Sequence, residues 1–126
     1  MQLMQGLHLT ADLSNCDAQR AVMTDVQALR TLCLGAVAAA GLQAVGELFH
    51  RFAQGGGITG VVLLAESHLA VHTWPELGAV TLDVYVCNLK ADNSRKAQLL
   101  MSSLEAVFDA HSVEHHRLQR GGERVT

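Results

Sequence analysis

The run Val80-Thr81-Leu82-Asp83-Val84-Tyr85-Val86 alternates apolar and polar side chains without a break. Successive side chains on a strand point to opposite faces, so this pattern fits an extended segment with one buried face. A chain with such a segment must build a sheet and cover one side of it. The cover is written nearby. Asp92-Asn93-Ser94 is a strong helix start, and Ala97, Leu100, Met101, Leu104, Val107 and Phe108 then recur on one helical face. A second helix is expected from about residue 18 to Ala40, capped by Asn15 or Asp17 and stopped by Gly41. Its apolar stripe is Val22, Val26, Leu29, Cys33 and Val37.

The remaining segments read as strands. Leu7 to Leu13 alternates, Gln43 to Phe52 is extended, and Gly55-Gly56-Gly57 forces a hairpin turn. Ile58 to Ala65 is a nearly all-apolar strand, and Leu69 to Thr73 continues extended until Trp74-Pro75-Glu76-Leu77-Gly78 breaks it. Ser112 to Leu118 closes the chain with a short strand. The order is β-α-β-β-β-α-β, with no internal repeat and no linker. It predicts one α+β domain over residues 1–126, a two-layer sandwich of a mostly antiparallel sheet with two helices on one face. The other sheet face then needs cover, which a second subunit supplies most simply. A homodimer is expected.

Composition removes several classes of function. The chain has 126 residues, of which 49% are hydrophobic, so it is globular rather than disordered. Net charge is −3 with no basic stripe, which argues against nucleic acid. The most apolar run, Leu32 to Val45, contains Gly35, Gly41 and Gln43 and falls short of the roughly 18–20 residues of a membrane span. Met1 to Gln5 lacks the basic start of a secretory signal. Cys16, Cys33 and Cys87 are widely spaced, as expected of reduced thiols, and a cytoplasmic protein is expected. Only two lysines occur, Lys90 and Lys96, both in a polar stretch. Neither is placed for the desolvated Schiff base of a pyridoxal phosphate enzyme. Amine chemistry in this chain needs another carbonyl.

The chemistry-bearing residues concentrate in Glu66-Ser67-His68-Leu69-Ala70-Val71-His72-Thr73-Trp74-Pro75-Glu76. Glu66, Ser67 and His68 interrupt an otherwise buried strand, where an unpaired polar group costs about 1–3 kcal/mol. Three readings compete. The segment is a strand edge with polar groups in solvent, a metal site, or a nucleophilic centre at Ser67 with a histidine base and Cys87 arriving from the neighbouring strand. The metal reading is weak, because His68 and His72 stand about 13 Å apart on a straight strand. No metal is expected.

The same eleven residues closely resemble the processing site of prokaryotic S-adenosylmethionine decarboxylase proenzymes. The resemblance extends through Phe49-His50-Arg51-Phe52, Gly60-Val61-Val62, Leu82-Asp83-Val84-Tyr85-Val86-Cys87 and Val113-Glu114-His115-His116, nearly the whole chain. It implies self-cleavage between Glu66 and Ser67, giving a β chain of residues 1–66 and an α chain of 67–126. Ser67 would attack the Glu66 carbonyl carbon, and elimination from the resulting ester would leave a pyruvoyl group and ammonia. That pyruvoyl carbonyl would be the cofactor, forming a Schiff base with the substrate amine. The resemblance gives His72 the role of processing base and Cys87 that of proton donor to the product α-carbon. Phe52 resembles an adenine-stacking aromatic, and Glu76 the carboxylate that binds ribose hydroxyls. It places the active sites at a dimer interface.

Two positions depart from the family pattern. Thr59 stands where a serine commonly assists processing, and Asn88 follows Cys87 where glycine is frequent. The implied activity is decarboxylation of S-adenosylmethionine to the aminopropyl donor of spermidine synthesis. A pyruvoyl-dependent L-ornithine or L-arginine decarboxylase would use the same scaffold. An inert regulatory paralogue or a dimeric ligand-binding module would keep the fold without the chemistry.

Overall fold

The structure is a computed structural model and describes residues 4–122; the first three residues of the segment read for a targeting signal lie outside them. The elements are β1 (Gln5–Ser14), a 3-10 turn (Ala21–Met23), α1 (Val26–Ala39), β2 (Ala44–Arg51), β3 (Ile58–Leu64) and β4 (Ser67–Trp74). A second 3-10 turn (Pro75–Leu77), β5 (Ala79–Cys87), α2 (Ser94–Phe108) and β6 (Ser112–Gly121) follow among the described residues. Six strands form one sheet in the order β2-β3-β4-β5-β1-β6, and every adjacent pair is antiparallel. The α+β sandwich expected from the sequence is present.

Alternation decides which face is covered. Leu7, Leu9, Ala11 and Leu13 of β1, Leu69 and Val71 of β4, and Val80, Leu82, Val84 and Val86 of β5 are all buried. Leu29, Cys33 and Val37 of α1 and Ala97, Leu100, Leu104 and Phe108 of α2 complete this core. α1 lies over β2 and β3, and α2 over β5 and β1. The opposite face carries His8, Thr10, Leu48, Leu63, His68, His72, Asp83 and Leu118, set by the strand registers. Three of these, Leu48, Leu63 and Leu118, are large apolar side chains left exposed.

Three local details differ from the sequence expectation. The first helix begins at Val26 rather than near residue 18, because the Asp25 carboxylate accepts from the N–H groups of Gln27 and Ala28. That bond ends the preceding turn, and Asp17 instead caps Gln19 N–H. The extended run read as continuing through Glu66 is two strands, β3 and β4, joined by a tight turn at Ala65-Glu66. β6 runs to Gly121 rather than Leu118, since β1 offers it a partner along its whole length. The β2–β3 turn forms where expected, with Gly57 pressed against the Thr73 backbone. A Cβ there would lie 1.7 Å from the Thr73 carbonyl oxygen.

Candidate active site

Glu66 occupies the last position of the β3–β4 turn, with φ 59. This left-handed conformation is unfavourable for a side chain with a Cβ and points to a strained position. The next residue is Ser67, the first of β4. Its Oγ accepts a hydrogen bond from Cys87 N–H at 3.1 Å. The Glu66–Ser67 bond therefore lies at a strained turn, with the serine hydroxyl held by the end of β5. Ser67 and Cys87 are half-buried, and Glu66 is exposed.

A second group gathers at the other end of β4. Thr59 and His72 are direct cross-strand partners, and the Thr59 hydroxyl is 3.0 Å from His72 Nδ1. The His72 ring stacks on Trp74, with centroids 5.7 Å apart and planes 26° from parallel. Thr73, between them, is buried. Its hydroxyl donates to the Met23 carbonyl at 2.8 Å and accepts from Ile58 N–H at 2.9 Å. Both capacities of that hydroxyl are used, which anchors the end of β4 and aims its neighbours outward. Phe52, Thr59, His72, Trp74 and Glu76 line a cleft of about 400 Å³, a size suited to a small-molecule ligand.

The two groups do not meet within one chain. Five residues separate Ser67 from His72, about 16 Å along a strand. They also have opposite parity on β4, Ser67 with the buried row of Leu69 and Val71, His72 with the uncovered row of His68 and Ala70. Of the residues singled out in the sequence, Ser67, Cys87 and Glu66 come together, and Phe52, Thr59, His72 and Glu76 come together. Trp74 belongs to the second group; it was read as a strand break and as part of the eleven-residue motif, without a role of its own, and its place two residues beyond His72 on one strand face was the available signal. A groove of about 390 Å³ between α2 and β6, lined by Met101, Glu105, His115 and Arg117 among others, contains none of these residues.

Other readings can be placed on the same map. Lys90 and Lys96 are exposed, and Lys96 Nζ donates to the Gly41 carbonyl at 3.3 Å. Among the described residues, Asp12, Glu114 and His116 bring ligand atoms within 4.8 Å of one another, all exposed and two or more strands away from His72. Burial pushes the Cys33 thiol up to about 12, as expected of a core cysteine. Asn88 bonds to Asn93 and Ser94 and thereby shapes the loop after Cys87.

The profile of the family described as S-adenosylmethionine decarboxylase matches residues 7–121. The chain belongs to this family. Among its relatives is the S-adenosylmethionine decarboxylase proenzyme of Aquifex aeolicus, 42% identical over 99 residues, which are 79% of this chain and 71% of that protein. The proenzyme of Pyrococcus furiosus is 36% identical over 118 residues, 94% of this chain and 80% of the relative. The crystal structure of the adenosylmethionine decarboxylase from Aquifex aeolicus superimposes with a TM-score of 0.84 at 36% identity, covering 96% of this chain and 94% of that one. Family members are enzymes, and their likeness to this chain spans both groups of side chains.

Proposed function

We propose that this protein decarboxylates S-adenosylmethionine, using a pyruvoyl group that it makes from Ser67 by cutting its own chain after Glu66. The observation that carries this reading is the left-handed Glu66 immediately before a serine whose Oγ is held by Cys87 N–H. A strained acyl donor beside an oriented hydroxyl favours transfer of the Glu66 acyl group from nitrogen to oxygen. Loss of the Ser67 α-proton then expels the Glu66 carboxylate and leaves a double bond at residue 67. Tautomerisation and water release ammonia and leave the ketone.

His72 is the base for that proton. The Thr59 hydroxyl at Nδ1 fixes its ring and leaves Nε2 to accept the proton. Threonine keeps the hydroxyl of the serine it replaces. Because His72 lies about 16 Å along the strand from its own Ser67, it serves a second protomer. The reading therefore requires a homodimer, with the uncovered sheet faces packed together. Each site takes Ser67 and Cys87 from one chain, while the partner subunit supplies the His72, Thr59, Phe52, Trp74 and Glu76 group.

The residues around residue 67 suit the proposed cofactor. The site lies at a chain turn, beside the backbone donor of Cys87, with no lysine among the residues gathered there. When present, a pyruvoyl carbonyl supplies an electron sink for loss of carbon dioxide. Cys87 returns a proton to the product α-carbon. Phe52 and Trp74 offer faces for adenine, and the Glu76 carboxylate suits ribose hydroxyls and the cationic sulfonium.

Mass spectrometry of purified protein tests the cut, and carbon dioxide release from S-adenosylmethionine, L-ornithine and L-arginine tests the substrate. Fragments ending at Glu66 and starting at a blocked residue 67 are expected, with turnover of the first substrate. Ser67→Ala should stay a single chain without activity. Active wild type with an intact Ser67, or turnover of ornithine alone, would overturn the reading.

A further inference from the structure

β5 ends at Cys87, and the loop from there to α2 is closed by side-chain amides that no step above uses. Asn93 holds the N-cap position of α2, and asparagine is among the best capping residues. Its side chain makes no capping bond. Its Nδ2 donates instead to the Cys87 carbonyl at 2.8 Å. Asp92 Oδ1 serves the helix start by accepting from Ser94 N–H at 2.9 Å. Asn93 is itself held, its N–H donating to Asn88 Oδ1 at 2.8 Å. Asn88 Nδ2 donates to Ser94 Oγ at 3.0 Å, and Asn88 N–H donates to the Gln5 carbonyl at 2.8 Å. Cys87 is thus gripped at both ends. Its carbonyl accepts from Asn93, and its N–H is committed to Ser67 Oγ.

We propose that Asn93 is a positioning residue that acts through Cys87, setting where the thiol and N–H of Cys87 stand relative to residue 67. The inference rests on the roles assigned above to Ser67 and Cys87. A local rule is broken at Asn93, where a capping side chain is diverted from its helix, and such departures mark functional positions. Placement matters for both stages of the chemistry. During processing, the Cys87 N–H fixes the Ser67 hydroxyl. During turnover, the thiol proton has two possible destinations once carbon dioxide has left.

A proton on the substrate-derived carbon, followed by addition of water, releases the amine product and restores the ketone. A proton on the carbon of residue 67, followed by the same addition of water, releases an aldehyde and leaves the nitrogen on residue 67 as alanine. Each course consumes one proton and one water, with no oxidant or reductant. One nitrogen separates the two carbons, so a displacement of about 1 Å changes the target of the thiol.

Asn93→Asp tests this. It preserves size and capping ability, removes the N–H donor, and sets a carboxylate against the Cys87 carbonyl. Cutting at Glu66–Ser67 should slow roughly ten-fold, measured at a temperature where wild type and variant are both fully folded. The share of α chains that acquire a sequenceable N-terminal alanine per turnover should rise by a similar factor. A purely structural residue would lower the melting temperature and leave that share alone. Should Asn93→Asp fail to fold, Asn93→Ser, a shorter capping residue without the amide, gives the same comparison. Wild type that never cuts would overturn the parent reading. Wild type that cuts, beside a variant equal to it in cutting and alanine yield, would overturn this inference alone.

Discussion

Ser67 and His72 are the residues whose separation matters most. If the partner's His72 removes the Ser67 α-proton, His72→Ala should stop processing after the acyl shift and before elimination. The chain would then hold an ester at residues 66–67, and hydroxylamine should split it into two fragments on a denaturing gel. Resistance to hydroxylamine together with an uncut chain would remove His72 from the elimination step. Cys33 shows what a cysteine outside the site does. It is fully buried, and its thiol is pushed from 9.0 to about 12 by desolvation. A raised pKa means that the native state keeps a proton which the unfolded chain gives up. Its contribution to stability is therefore whole below pH 9 and is lost progressively between about 9 and 12. Cys33→Ala should flatten that alkaline decline in a denaturant titration, and an unaltered slope would count against it.

Among elements, the turns carry more of the specificity than the helices. Asp25 caps α1 by accepting from Gln27 and Ala28 N–H, so Asp25→Ala should cost about 1 kcal/mol. For a domain of this size that is roughly 4 °C in melting temperature, with cutting at residue 67 unaffected. Gly57→Ala is expected to do more harm. Its methyl would press on the Thr73 backbone, which flanks His72 and Trp74, so overpacking of about 3 kcal/mol and slower cutting should appear together. Separation of the two effects would show that the β2–β3 turn does not position His72. The first helix shows where local pattern misleads. Val22 was read into its apolar stripe, but it lies in a 3-10 turn with Met23, whose carbonyl accepts the buried Thr73 hydroxyl. A contact fifty residues away holds that turn, and the Asp25 cap starts the helix after it.

At the level of the whole molecule, the described residues cover the sheet on one face only. The bare face carries the exposed Leu48, Leu63 and Leu118 beside a His8–Asp83 pair at 3.1 Å. A two-fold axis across this face would carry the His72 end of one β4 toward the Ser67 end of the other, and a two-fold interface is self-complementary. The expected result is complementation. Ser67→Ala and His72→Ala should each be inert alone, but co-expressed they should yield cut α chains only from the His72→Ala protomer, which keeps its serine. Absence of any cut chain from a verified mixed dimer would show that each chain processes itself.

Periodicity in the sequence determined every strand except β4 as a separate element, the buried face of both helices and the sandwich, because burial on one face demands a repeat of two or 3.6 residues wherever the partner lies. The eleven residues from Glu66 to Glu76 likewise announced the family, and the sequence assigned a site role to every proposed site residue except Trp74 and Asn93. Tertiary structure alone decided that the run through Glu66 folds back as two strands, with Glu66 left-handed and Ser67 against Cys87. It also decided that Ser67 and His72, five residues apart in the chain, stand on opposite sides of one strand. Both outcomes depend on register between distant segments, which no local pattern encodes.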